Sequence, residues 1–270
     1  MVYGPSARCI YAAPYICYQD EKTHIWNLMQ GCCNHWDCPR CGIIRAKQEY
    51  TRMVTGAEQL EQQHHKLYFW TLTCRGKTMS LAEAEKGYLV WTDKLLSAAR
   101  NKCHRAAAYW CYVQVTERQR RGHPHSHIIT TYAPENSHLV CRGASLPNGR
   151  MAQHDTLWSE WFRGANQRAG LGIECEISPV KSAAAVSRYV GKYLFKQTNF
   201  DQWPARWKRV RYSQNWPDLP ERENKSAFPV IKYADWFRMW DIGEPIRADS
   251  VFTYAAAQAR GIENVLPPAW

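Results

Sequence analysis

The chain of 270 residues is long enough for one large domain, or one domain with appendages, and its 45% apolar content supplies a sizeable core. Its 35 Lys and Arg exceed its 24 Asp and Glu, a formal charge of +11 that points to a polyanionic partner; 13 Trp and 15 Tyr add stacking surface and favour nucleic acid over an acidic membrane. No run approaches the ~18 apolar residues of a membrane span, and the opening stretch lacks a basic segment followed by an apolar one, so the expectation is a cytoplasmic protein with no membrane partner. In that reducing setting the 11 cysteines read as metal ligands rather than disulfides.

Residues 1–41 are rich in Cys, Tyr and turn formers and read as irregular. Ile43 to about Gln63 is polar and helix-prone. The run 66–74, "KLYFWTLTC", reads as a buried strand. Residues 80–102 predict an amphipathic helix with Ser80 as N-cap and Glu83 completing a capping box. Two strands follow, 109–117 and 125–132, and the turn at Gly122 joins them as a hairpin. Residues 143–149 form a loop, 154–167 a short helix, 172–180 a strand, and 182–196 a helix with Ser182 as N-cap. Beyond Gln197 the composition turns to Trp, Arg and Pro, with one more helix expected over 231–241. Interspersed helices and hairpin-type pairing give an α+β fold with a central antiparallel sheet flanked by helices. Three regions are expected: a Cys-rich segment and linking helix (1–60), a central domain (61–200) and a basic, aromatic extension (201–270).

The hairpin carries "RGHPHSHIITTY" (121–132). Residues two apart on a strand share a face, so His125 and His127 project together at a spacing that suits one metal ion. Glu117 ends the preceding strand and returns beside His125 when the hairpin closes near Gly122, adding a carboxylate that shifts the preference toward Mn²⁺ or Mg²⁺. His123 has the same parity but falls in the turn, where it is read as solvated rather than as a third ligand.

The helix 182–196 ends "YVGKYLFK", Tyr-x-x-Lys written twice. Tyr189 and Tyr193 stand at i and i+4 on one face, and Lys192 and Lys196 each follow a tyrosine by three. A nearby ammonium favours phenolate over phenol and can neutralise a phosphate oxygen. The alternative is an amphipathic helix that packs its tyrosines and snorkels its lysines.

"FWTLTC", "GHPHSHII" and "YVGKYLFK", in that order and in strand, strand and helix context, resemble the three motifs of HUH endonucleases. The closest resemblance is to two-tyrosine rolling-circle replication initiators, and it runs from about Tyr68 to Lys196. Ser126 departs from the pattern: a small polar residue stands where a hydrophobic one normally packs into the core, which implies a looser fit there. The resemblance implies that His125, His127 and Glu117 hold one catalytic Mn²⁺ or Mg²⁺. It implies that Tyr189 or Tyr193 attacks the scissile phosphate to leave a 3′-hydroxyl and a 5′-phosphotyrosine, with Lys192 and Lys196 orienting the phosphate. The partner is then single-stranded DNA at a replication origin. "RGKT" (75–78) lacks the upstream glycine of a phosphate-binding loop, where Thr71 stands, so unwinding and synthesis fall to a host helicase and polymerase. A transposase or relaxase with the same chemistry, and a zinc-stabilised DNA-binding protein without catalysis, are the alternatives.

Two further segments remain. "CCNHWDCPRC" (32–41) holds Cys38-x-x-Cys41 with Cys33 before it, half of a structural Zn²⁺ site; Cys17 is taken as the fourth ligand, with Cys9, Cys32 and His35 as alternatives. "WPARWKRVRYSQNWP" (203–217) interleaves aromatics with Arg206, Lys208, Arg209 and Arg211. It reads equally as a path for single-stranded DNA and as a basic strand that packs its tryptophans on the core.

Overall fold

In the computed structural model the described residues are 15–19, 26–30, 36, 39–75, 79–102, 110–119, 121–134, 136–147, 149–196, 207–217, 246–248, 251–258 and 265–267. The chain divides into two units, residues 1–45 with 220–270, and residues 46–219. The expected helix at 231–241 lies outside the described residues.

In the first unit, strands β1 (Tyr15–Gln19) and β2 (Trp26–Gln30) form an antiparallel hairpin, so the N-terminal segment is not wholly irregular. Both strands are Tyr-, Trp- or Ile-bearing runs of only five residues, too short to stand out among turn formers. The sheet is completed from the far end of the sequence by β10 (Ile246–Ala248) and β11 (Val265–Leu266), both in parallel pairings, with a short helix (Val251–Gln258) between them.

The second unit is built on a seven-stranded, wholly antiparallel sheet. Its strands in chain order are β3 (Tyr68–Thr73), β4 (Tyr112–Arg118), β5 (Pro124–Thr130), β6 (His138–Val140), β7 (Thr156–Trp158), β8 (Glu176–Pro179) and β9 (Val210–Tyr212). Their spatial order is β6-β7-β8-β3-β5-β4-β9, which puts β5 at the heart of the sheet between β3 and β4. The helices are α1 (Pro39–Gln62), within which the two units divide, α2 (Leu81–Lys102), α3 (Glu160–Ala169) and α4 (Ala183–Lys196). The α+β class with an antiparallel sheet is therefore the observed one. No helix among the described residues is long and apolar enough to cross a membrane.

Local chemistry sets the helix starts. Ser80 and Glu83 form the reciprocal capping box, with Ser80 N donating to Glu83 Oε2 (3.0 Å) and Glu83 N to Ser80 Oγ (3.3 Å). Ser182 Oγ caps α4 by accepting from Ala185 N. The segment 154–167 departs from the expected helix: Thr156–Trp158 pairs as β7, and α3 begins only after Ser159, whose Oγ accepts from Phe162 N. Thr and Trp are good strand formers, and a partner at Ile177 across the sheet outweighs the helical pattern.

Period-two alternation gives the sheet two different faces. On one, Trp70, Leu72, Ile128 and Ile177 pack with Tyr88 and Leu95 of α2 and Phe162 of α3. Trp70 is the centre of this core, ringed by Trp110, Tyr132 and Phe162. On the other face lie α4 and the second half of α1. Glu61 accepts from Ala183 N at the start of α4, and Tyr50 meets Phe195 near its end. Gly191 allows this crossing, since a Cβ there would fall 2.5 Å from the Tyr50 ring.

Candidate functional site

The face covered by α4 carries Phe69, Thr71 and Thr73 from β3, His125 and His127 from β5, and Val115 and Glu117 from β4. The hairpin turns through Gly122, whose φ of 84° suits glycine, and is closed by Gln119 N donating to His123 O. That turn sets the register in which Glu117 stands directly opposite His125. His125 and His127 point to the same side with ring centroids 4.7 Å apart. Glu117 Oε1 lies 3.3 Å from His127 Nε2. One ligand atom from each of the three residues falls within 4.8 Å of the others, so Glu117, His125 and His127 form a candidate metal-binding triad, buried in the sheet. The donor set fits a divalent cation: two imidazoles and a carboxylate converge, and His127 Nδ1 is buried without a hydrogen-bond partner. Burial, with the neighbouring His127, lowers the His125 pKa from 6.5 to about 3, which keeps this imidazole in the neutral form that a ligand needs.

Helix α4 lays both tyrosines against this triad. The Tyr193 ring stacks on His127 at 4.0 Å and 21°, and the Tyr189 ring stands edge-on to it at 6.1 Å. The two tyrosines meet at 5.4 Å and 81°. Tyr189 is 41% exposed, whereas Tyr193 is half-buried. Burial pushes the Tyr193 phenol well above its ordinary value, and its hydrogen bond to Tyr189 and the nearby Glu117 act in the same direction. The exposed Lys192 places its ammonium over the Tyr189 ring, 4.6 Å from the centroid, a cation–π contact rather than one at the hydroxyl. The Lys196 side chain lies outside the described residues.

Two residues in the site were not singled out from sequence, and a third was assigned a different place. Phe69 stacks on His127 at 5.3 Å and meets Tyr189 edge-on at 5.4 Å, filling the corner between triad and helix. Gln119 places its amide 3.1 Å from His125 Nδ1, the position of a group that fixes a ligand's tautomer. Its signal was its place two residues after Glu117, continuing the same parity. Arg209 is the third. It was expected on DNA, but it is fully buried, and its Nη2 donates to the Tyr193 carbonyl (3.1 Å). The correction has a physical cause: residues 210–212 pair with β4 as an edge strand, and the Arg209 carbonyl accepts from Thr116 N, drawing the residue into the sheet.

The other expected residues divide as follows. Arg211 is ion-paired with Asp93, Lys208 is exposed, and Arg206 lies outside the described residues. Trp216 is buried and Trp207 packs on the core, so the described part of this segment behaves as a strand that buries its tryptophans. His123 Nε2 lies 3.1 Å from the Met79 carbonyl, so it is tied to the backbone rather than freely solvated, and it stands outside the triad. Of the zinc ligands, Cys41 is buried in the first turn of α1, whereas Cys33, Cys38 and the Cys17 side chain lie outside the described residues. Ser126 leaves no gap in the core: it is fully buried, 2.9 Å from both Gln114 Nε2 and Thr116 Oγ1.

An antiparallel sheet that presents a His-His-Glu triad under a tyrosine-bearing helix is thus the defining feature of the second unit. Residues 67–198, the span from β3 through α4, match the ORF2-type family of replication-associated proteins. The match covers just under half of the chain and supports a replication-associated, Rep-like protein. Searches of curated proteins and of solved structures returned no match.

Proposed function

We propose that this protein nicks and rejoins single-stranded DNA through a 5′-phosphotyrosine, and so starts and ends rolling-circle replication of a phage, virus or plasmid. The observation that carries the reading is the direct packing of Tyr193 and Tyr189 on His127, which brings two phenols to a candidate metal triad. Glu117, His125 and His127 would hold a divalent cation, Mn²⁺ or Mg²⁺, which supplies Lewis-acid polarisation of the scissile phosphate.

The chain's own residues do the rest. A tyrosine Oη forms a bond to phosphorus as the bond from phosphorus to the 3′ oxygen breaks. The phenol loses its proton and the departing oxygen gains one as a 3′-hydroxyl. Bond count is conserved, so the reverse attack by a 3′-hydroxyl reseals DNA without ATP. Tyr189, the exposed phenol, is the better placed for the first cut, because Tyr193 is held protonated by burial and by its hydrogen bond. Two nucleophiles on one helical face let one hold a 5′ end while the other cuts. A host helicase and polymerase would act with it.

The test is adduct formation. Wild type, Tyr189→Phe, Tyr193→Phe and the double variant are incubated with Mn²⁺ and oligonucleotides tiled over both strands of the parent replicon, then run under denaturing conditions. A covalent adduct in wild type that the double variant cannot form is expected. Tight binding to these strands with no adduct at any of them overturns the reading in favour of a binding protein.

A further inference from the structure

A cavity lies beside the strand next to the triad histidines. In the ladder Thr71 pairs with His127 on one side and Glu176 on the other, and Thr73 pairs with His125. Both threonines also line a cavity of about 310 Å³ that runs from β3 over β8 and β7 to α3. Adjacent strands are ~4.8 Å apart, so the Glu176 strand lies only ~10 Å from His127 across the sheet. The volume is at the small end of the ~300–1,000 Å³ found for ligand pockets.

The lining chemistry is specific. Trp158 is half-buried on the wall, and the Arg163 guanidinium lies 4.4 Å from its ring centroid. The wall's two glutamates are both paired: Glu176 with His154 (2.5 Å) and Glu174 with Arg150 (2.6 Å). The cavity therefore offers an indole surface and hydrogen-bonding edges, including exposed Gln153, without a strong excess of either charge. That favours a flat, uncharged heteroaromatic group over a phosphate.

We infer that this cavity receives one unpaired nucleobase of the DNA strand whose phosphate lies at the triad, stacked on Trp158 and read at its edge by Gln153. The inference rests on the nicking reading and adds to it a position where base identity matters. Thr71 and Thr73 line the passage between the two sites, so a single strand crosses from one to the other without leaving the sheet.

The experiment uses full-length protein carrying Tyr189→Phe and Tyr193→Phe, so that DNA is bound and not cut. Anisotropy is measured on origin-strand oligonucleotides with a single abasic site moved through each position near the nick. One position should weaken binding about tenfold when its base is removed. Trp158→Ala should cause a similar loss on intact DNA and make that position insensitive, while Trp158→Phe restores it. If Trp158→Ala fails to fold, Gln153→Trp, which fills the cavity from its exposed rim, should give the same insensitivity. Penalties that simply add, or no sensitive position, overturn the pocket. In parallel, 5-iodouracil is placed at each position and photo-crosslinked to the unsubstituted protein. Adduct formation with crosslinks only outside this cavity sinks the pocket and leaves nicking intact; a crosslink at Trp158 without any adduct keeps the pocket and sinks nicking.

Discussion

Tyr193 lies flat on His127, its ring 4.0 Å away and tilted by 21°. The helix that carries the phenols and the strand that carries the imidazoles are thereby a single packed unit, with Phe69 against both His127 and Tyr189. Changes that reorient a triad imidazole should therefore be felt by the tyrosines, and changes that shift α4 should be felt by the triad.

Gln119 is the first place to test this. Its amide is 3.1 Å from His125 Nδ1. The Gln119 atom that faces Nδ1 is Nε2; when His125 offers its own Nε2 to a cation, Nδ1 carries the proton and the Gln119 amide must turn over so that its oxygen accepts. Loss of such an orienting partner typically costs 10–100-fold in metal affinity. Gln119→Ala should weaken Mn²⁺ binding, measured by calorimetry, by about tenfold or more, with little change in thermal stability. Unchanged affinity would mean that Gln119 does not orient the ligand.

His125 gives a pH signature. Its folded pKa is lowered from 6.5 to about 3 by burial and by His127. Between those values the unfolded chain binds a proton that the folded chain refuses. The unfolded state is then favoured as pH falls, so stability declines from about pH 6.5 toward 3. One such group contributes a slope of at most about 1.4 kcal/mol per pH unit. Urea midpoints of chelator-treated protein should fall across this window, and His125→Gln should flatten the fall. An equal slope in the variant would place the proton uptake elsewhere.

The site was legible in the sequence where the relevant geometry is local. His125 and His127 share a face because a strand repeats every two residues, and Tyr189 and Tyr193 share one because a helix nearly repeats every four. Glu117 was reachable through a single glycine turn. Long-range pairing hid the rest. Arg209 stands in a basic run that reads as solvent-facing, and only the pairing of Val210 with Val115 reveals that it turns inward. Thr156–Trp158 reads as helix until Ile177 arrives as its neighbour. The sheet of the first unit joins residues 26–30 to residues 246–248, which no local pattern can announce.

Ser126 offers a third prediction. Its hydroxyl sits among Gln114 and Thr116 on the core side of β5, on the face opposite the triad. A hydrophobic residue here would remove the hydroxyl that both partners bond and leave them only the longer Gln114 Nε2 to Thr116 Oγ1 bond of 3.4 Å, at a cost of about 1–3 kcal/mol. Ser126→Val should therefore lower stability by that order, although valine is the more apolar residue. A more stable Ser126→Val protein would show that the polar cluster contributes nothing to the core.

The last prediction concerns Arg209 and the C-terminal end of α4. Tyr193 is among the last four residues of the helix, so its carbonyl has no acceptor role within the helix, and the Arg209 guanidinium donates to it at 3.1 Å. A cation at this end also complements the helix dipole. A buried bond to a charged donor is worth about 1.5–3 kcal/mol, so Arg209→Met should lower stability by at least that order. The same change frees the turn that seats Tyr193 on His127, while Tyr189 lies a full turn further from the loosened end. Peptide mapping of the DNA adducts should then show the Tyr193 share falling relative to the Tyr189 share. A uniform loss at both tyrosines would assign Arg209 to general folding, and an unchanged ratio with unchanged stability would remove it from the site altogether.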